Sequence, residues 1–275
     1  MKIAIREVEC KSILNRSRIP GLDYALNPYV GCEHACVYCF ADFMRRFTGH
    51  REPWGSFVDV KFNAPEVLRR QLKKFPPGLI SIGIVTDPYQ PAEVRYKITR
   101  ECLKELIGRG FSVSILTKSA LVLRDLDLLK RLEEVEVGFT VTVLDERVRR
   151  EIEPRSSPAQ ARLEALRELS DAGIKTWLFF GPVLPHFSDS WEHVERLFTA
   201  AAAAGVDYVL VDRLNLYPTV WHRVRRLLEE RFPEALPAYE DYRRNKALWC
   251  EELRAITEEA ARRAGLPLRF AFYLR

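Results

Sequence analysis

The chain has 275 residues, 47% of them apolar and 29% charged. That balance suits one large α/β domain or two small ones with a sizeable core, and it excludes disorder for the bulk of the chain. No uncharged apolar run approaches the ~20 residues that cross a bilayer. The opening stretch lacks the apolar core of a signal peptide, so no membrane contact and a cytoplasmic location are expected. The net charge of +5 comes from 43 bases and 38 acids spread along the whole sequence. Such a balance is compatible with nucleic acid without arguing for it.

A first strand is expected near Asp23–Tyr29. Further apolar, β-branched runs follow at Leu79–Val85, Phe111–Leu116, Val135–Val143, Lys175–Val183, Tyr208–Val211 and Leu268–Tyr273. Amphipathic runs lie between them at Pro65–Phe75, Thr99–Arg109, Arg124–Glu133, Pro158–Ala172 and Trp191–Ala204. Gly110, Gly173 and Gly205 stand where a helix stop favours glycine. Strict β-then-α order predicts a parallel sheet with helices outside it, an α/β partial (β/α)6 TIM-type barrel. Residues 1–216 are expected to form this core. Residues 217–275 are expected to add a helical extension and a final strand, the helices breaking near Pro233 and Pro237. That extension is read either as a cap on the substrate side or as a layer over the barrel bottom or edge. In such barrels the chemistry sits where strands end.

Three of the six cysteines crowd into eight residues: Cys32, Cys36 and Cys39, spaced C-x3-C-x2-C. Three thiolates from one short loop suit a [4Fe–4S] cube whose fourth iron keeps no protein ligand. A structural zinc site would need a fourth ligand, for which His34 is the local candidate. A plain electron-transfer cluster would need a fourth cysteine, from Cys10, Cys102 or Cys250. His34 itself reads as a solvated loop residue.

The triplet, with Tyr38 before its last cysteine, resembles the signature of the radical S-adenosylmethionine (SAM) superfamily. Further stretches resemble the spore photoproduct lyase-related, DNA repair photolyase-like group. They are Phe47 to Glu66, Val85 to Glu93, Leu116-Thr117-Lys118 and Glu153-Pro154-Arg155. The resemblance implies a [4Fe–4S] cluster on Cys32, Cys36 and Cys39, with S-adenosyl-L-methionine on the open iron. One electron then cleaves SAM to methionine and a 5′-deoxyadenosyl radical that abstracts hydrogen. It implies contacts to the methionine amino end near Thr86 and Asp87, and Tyr38 beside adenine. It also implies an ammonium from Lys118 on the SAM carboxylate, a point charge suited to that role, and a hydroxyl from Thr140 or Thr142. Pro182–Leu184 and Arg213–Asn215 would wall the adenosine. On residue type alone, Lys118 is equally a solvated charge and the threonines ordinary strand residues. Gln90 or Glu93 is expected near the mouth of the site.

Two positions depart from the lyase pattern. The lyase's hydrogen-donor cysteine is matched by Val85, and its relay tyrosine by Phe40. The lyase reaction itself is therefore not expected, unless Cys102 or Cys10 donates instead. Nucleic acid is one substrate class, with the basic, aromatic segments Trp221–Arg226 and Tyr239–Arg244 as candidate contacts. A small molecule or peptide is the alternative, and a non-enzymatic iron–sulfur carrier or sensor the alternative of another class. A reducing electron donor such as ferredoxin or flavodoxin is implied as partner, and a monomer is expected.

Overall fold

The computed structural model describes residues 3–272. In chain order, β1 (Ala4–Val8), β2 (Leu14–Arg16), β3 (Tyr24–Leu26) and β4 (Tyr29–Val30) precede the cysteine loop and a 3-10 helix over Phe40–Phe47. Then come β5 (Phe57–Lys61), α1 (Ala64–Leu72), β6 (Leu79–Ile82), α2 (Ala92–Tyr96), α3 (Ile98–Leu106), β7 (Ser112–Thr117), α4 (Leu126–Leu129) and β8 (Glu134–Thr140). The chain continues through α5 (Glu146–Ile152), α6 (Ala159–Asp171), β9 (Lys175–Val183), α7 (Trp191–Ala203) and β10 (Tyr208–Arg213). It ends with α8 (Pro218–Arg231), α9 (Leu236–Arg244), α10 (Lys246–Ala264) and β11 (Leu268–Phe270).

Eight strands form the main sheet in the order β11-β10-β9-β8-β7-β6-β3-β2. Every neighbouring pair is parallel except β2 with β3. From β3 to β10 the spatial order is the chain order, and each of these strands leads into a helical crossover. These are the six βα units the sequence predicts, curled into an open barrel whose edges β2 and β11 do not pair. Strands covered on both faces lose the apolar/polar alternation and read as continuous apolar runs, which is why they were legible. Ile80, Ile82, Val113, Ile115, Val137, Phe139, Leu178 and Phe180 are all buried in the central core.

The structure differs from the sequence reading at three places. The expected Asp23–Tyr29 strand is cut at Asn27-Pro28, because the residue before proline and proline itself interrupt pairing. Its second half, β4, turns away into a three-stranded sheet of order β1-β5-β4. The expected Arg124–Glu133 helix is a 3-10 turn over Ala120–Asp125 followed by the single α-turn of α4. The final strand ends at Phe270, and Tyr273 lies outside the described residues.

The C-terminal helices divide their work. α10 packs on α7 on the outer layer. α8 and α9 bury Val220, Val224, Leu228, Tyr239 and Tyr242 against Cys36, Tyr38, Leu184 and Leu214, at the ends of the barrel strands. The extension thus packs at two places, α10 on the outer helices and α8 and α9 at the strand ends. Several basic residues of α8 and α9 have partners within the chain. Arg225 and Arg226 pair with Glu229 and Glu230 one turn on, and the Arg243 guanidinium lies 4.5 Å from the Trp221 ring centre.

Gly31 joins β4 to the cysteine loop with φ of +84°, and a Cβ there would lie 2.3 Å from the Phe57 carbonyl oxygen. Gly31→Ala therefore meets both left-handed strain (~1–2 kcal/mol) and overpacking (~1–3 kcal/mol). Urea denaturation should show a loss of roughly 2–5 kcal/mol. A loss under about 0.5 kcal/mol, the range of neutral surface changes, would contradict this account of the loop entry.

Candidate functional site

A cavity of about 350 Å3 opens at the C-terminal ends of the parallel strands. Cys32, Cys36 and Cys39 line it together with Tyr38, Thr86, Asp87, Lys118 and Thr140, so the barrel gathers eight of the nine expected site residues at one place. Pro182 and Arg213–Asn215 line it too. Thr142 is the exception. It is buried beyond the wall, and its hydroxyl donates to Glu153 Oε1 at 3.0 Å.

The loop that carries the cysteines has no regular structure, so its polar main chain is held by side chains from elsewhere. Thr86 Oγ1 donates to the Gly31 carbonyl at 2.6 Å. The fully buried Gln90 amide donates to Thr86 Oγ1 and accepts from the Glu33 N–H at 2.9 Å. Arg155 donates to the carbonyls of Glu33 and Gly55. Arg223, from α8, donates to the carbonyls of Val37 and Cys39 and pairs with Asp42 at 2.5 Å. Ala35 sits at φ of +56°, packed so closely on Gly55 that a Cβ at Gly55 would come within 2.4 Å of the Ala35 Cβ.

Behind the cavity lies a buried ionic network. Glu153 is fully buried and accepts from Tyr38 Oη, from Thr142 and, at 2.5 Å, from Arg162 on α6. Burial alone would raise its pKa, but the Arg162 and Lys118 charges hold it down at about 2. Asp87 behaves likewise. Burial opposes its charge, and His34 and Lys118 nearby, with the Thr117 hydroxyl, hold it at about 2. Its oxygens accept from Thr117 Oγ1 at 2.7 Å, the Tyr89 N–H at 2.9 Å and the Lys118 N–H at 2.8 Å. The Asp87 carboxylate is thus saturated by the chain's own donors, as is the Thr86 hydroxyl.

Lys118 is different. Its Nζ lies 5.9 Å from the Tyr38 ring centre, and among the described residues no carboxylate comes within 4.0 Å of it. Thr140 Oγ1 is buried with no hydrogen-bond partner. A cation and a hydroxyl without partners, on the wall that carries three thiols, leave room for an anionic ligand group there. Burial pushes all three thiols up, Cys36 to about 12, so metal binding at this loop must displace protons.

Several expectations need correction. His34 is buried, 2% exposed, with Nδ1 3.2 Å from Asp87 Oδ2; it belongs to the site's ionic scaffold rather than to solvent. Among the described residues no group of three His, Cys, Asp or Glu side chains sits at the spacing of a single metal ion. Gln90 and Glu93 do not reach the mouth. Gln90 fastens the loop, and Glu93 is sealed beneath it, accepting from Tyr29 and, at 2.7 Å, from Arg124. Cys102 is fully buried on α3, and neither it nor Cys10 lines the cavity, so neither can serve as donor there. Val85 and Phe40, the two departures from the lyase pattern, both do line it. Sequence reasoning gave Arg162 and Trp54 no role, placed Arg223 only in a candidate nucleic-acid segment and Asp212 only at the start of a loop after a strand; all four lie at or behind this cavity. An arginine at 162 inside the apolar stripe Ala159, Leu163, Leu166 was the one visible signal. Asp212 ends β10 on the cavity wall, and burial pushes it up to about 6.

Residues 26–198 match the Radical SAM superfamily. The chain belongs to that superfamily and is a radical SAM enzyme. It is 36% identical over 234 residues to the uncharacterized protein MJ0683 of Methanocaldococcus jannaschii, covering 85% of this chain and 86% of that one. It is 35% identical over 259 residues to the uncharacterized protein Rv2578c of Mycobacterium tuberculosis, covering 90% and 76%. Its fold is that of spore photoproduct lyase. A variant of that enzyme with bound AdoMet and dinucleoside spore photoproduct aligns over 98% of this chain and 82% of its own, with a TM-score of 0.72 and 15% identity. Membership implies an iron–sulfur cluster and SAM, and a loop of three thiols, two buried and one half-buried, beside an unpaired lysine fits both. Among the described residues no helix is long and apolar enough to cross a membrane.

The two depressed carboxylates stabilise the fold only while ionised. Their contribution is complete above the ordinary values of 3.8 and 4.5 and is lost as pH falls towards 2. Glu153→Gln leaves Arg162 buried without its counter-charge. It should cost about 3–5 kcal/mol at pH 7 and flatten the acid limb of the stability profile. Denaturation at pH 7 and pH 3 checks both; an acid limb as steep as the parent's would contradict the assignment.

Proposed function

We propose that this enzyme holds a [4Fe–4S] cluster on Cys32, Cys36 and Cys39 and uses it to cleave SAM reductively for hydrogen abstraction from a substrate at the cavity mouth. The observation that carries this reading is the convergence of three thiols, an unpaired Lys118 and an orphaned Thr140 hydroxyl on one cavity. When bound, cluster and SAM together supply a one-electron cleavage of the sulfonium and hence a hydrogen-abstracting radical. The chain's own residues do the rest. Lys118 and Thr140 hold the carboxylate end of SAM. The main chain at Thr86 and Asp87 meets its amino end, since both side chains are already engaged. Tyr38, kept in place by Glu153, together with Pro182 and the segment Arg213–Asn215, bounds the adenosine and excludes water.

The cavity does not carry the lyase's hydrogen-donor pair, because Val85 and Phe40 stand at those positions. The product radical is therefore quenched by another route, and the reaction differs from the lyase's in its last step. For substrate we read nucleic acid. Phe40, which lines the cavity, is 47% exposed, and Phe43 and Phe47 on the same helix are 40% and 74% exposed, with Arg45 and Arg46 between them in sequence. Exposed aromatic rings beside arginines are what a stacked base and its phosphate require. A low-potential carrier such as ferredoxin or flavodoxin delivers the electron.

Cys36→Ala should abolish the chromophore and SAM cleavage after anaerobic reconstitution, read by iron content and by chromatography for 5′-deoxyadenosine. About four irons per chain with full cleavage in that variant would defeat the assignment. Lys118→Ala should weaken SAM binding about tenfold or more, the loss of one charge-assisted bond, by equilibrium dialysis; unchanged affinity removes Lys118 from the site. Binding of a labelled single-stranded oligonucleotide should weaken with salt and on Phe47→Ala. No binding at low salt would leave a small molecule or a peptide as the substrate.

A further inference from the structure

Trp54 is the one tryptophan of the five that lines the cavity. It is only 8% exposed and packs with Cys32, Ala41 and Phe57, with Cys39 against the same group. An indole N–H is a donor only, and a buried donor needs an acceptor. Among the described residues no hydrogen-bond partner meets Trp54 Nε1. The side chain it faces is Cys39, whose sulfur the Ala41 N–H also approaches. A thiol sulfur is a weak acceptor, whereas a metal-bound thiolate is a strong one, so the free protein holds this donor ready for a partner that only a loaded loop provides.

The indole is held in that position by a stack of rings. Phe57 meets it edge-on, with ring centres 5.9 Å apart. Phe57 is in turn covered by the His50 ring at 4.0 Å. His50 is clamped between Asp59 at 2.8 Å and Glu52 at 3.0 Å. The charges that act on Cys32 and Cys36 come from Asp87, Lys118, Glu153 and Arg162.

We propose that the Trp54 indole N–H donates a hydrogen bond to the Cys39 sulfur once that sulfur is an iron ligand, and so sets the reduction potential of the cluster. This rests on the cluster assignment made above. Hydrogen bonds to ligand sulfurs stabilise the more negative, reduced state and raise the potential. Trp54 is a positioning residue, acting through Cys39 rather than on substrate.

The direct test is on the unaltered sequence. Protein labelled with 15N at the tryptophan indole is reconstituted anaerobically, reduced, and measured by pulsed EPR for a 15N coupling to the cluster spin. A resolved coupling, absent from Trp54→Phe protein, is expected. A reduced cluster with no 15N coupling overturns the proposal and leaves the cluster assignment standing. Failure of the labelled parent to assemble any cluster overturns both. In a redox titration Trp54→Phe should have a more negative midpoint potential, with iron content unchanged. An unchanged midpoint potential in a fully loaded variant also overturns it. If the variant does not load, the coupling in the labelled parent decides the matter.

Discussion

The cysteine loop cannot hold three sulfurs at one cavity by itself, and the rest of the structure follows from that constraint. With no helix or strand of its own, its main-chain groups must find partners that the fold brings from far away. Thr86 and Gln90 come from the end of the second barrel strand, Arg155 from the loop after α5, and Arg223 from α8. Each is buried or half-buried, so each bond is costly to leave unmade and the loop has little freedom to drift. The barrel thus acts as a jig. Its strand ends supply the anchors, and the C-terminal helices close over the loop from the other side.

The same jig sorts the charges. Asp87 on the cavity wall and Glu153 behind it are both engaged by the chain's own donors and cations. Lys118, a cation, and Thr140, a donor, are without ion-pair or hydrogen-bond partners among the described residues. An unpaired cation beside an orphaned hydroxyl favours a ligand with a negative end. Tyr38 shows how the two layers connect, since its hydroxyl is held by Glu153 while its ring lines the cavity beside Lys118.

The barrel was legible because covered parallel strands are continuous apolar runs separated by amphipathic helices. β9 carries the bounds read from the sequence, Lys175–Val183. The small sheet was not legible. β5 contains Asp59 and Lys61, which look like a surface run, and only the structure shows Asp59 buried against His50 and Lys61 donating to the Asn27 carbonyl. Among site residues, local spacing exposed the cysteines, and the resemblance supplied Lys118 and Thr140. Glu153 stands 115 residues from the Tyr38 it holds and Arg223 184 residues from Cys39. No local pattern can announce such partners, because their pairing is made by tertiary packing. Thr142 shows the reverse limit: it lies beyond the end of β8, where strand alternation no longer decides which way its side chain turns.

The most direct measurement is the EPR spectrum of anaerobically reconstituted, dithionite-reduced protein, recorded with and without SAM. A cluster with an open iron corner at this cavity predicts the signal of a reduced [4Fe–4S] cluster whose g-values shift on adding SAM, and a smaller shift or none in Lys118→Ala at the same SAM concentration. A spectrum with no reducible cluster, or one that SAM leaves unchanged, would contradict the account.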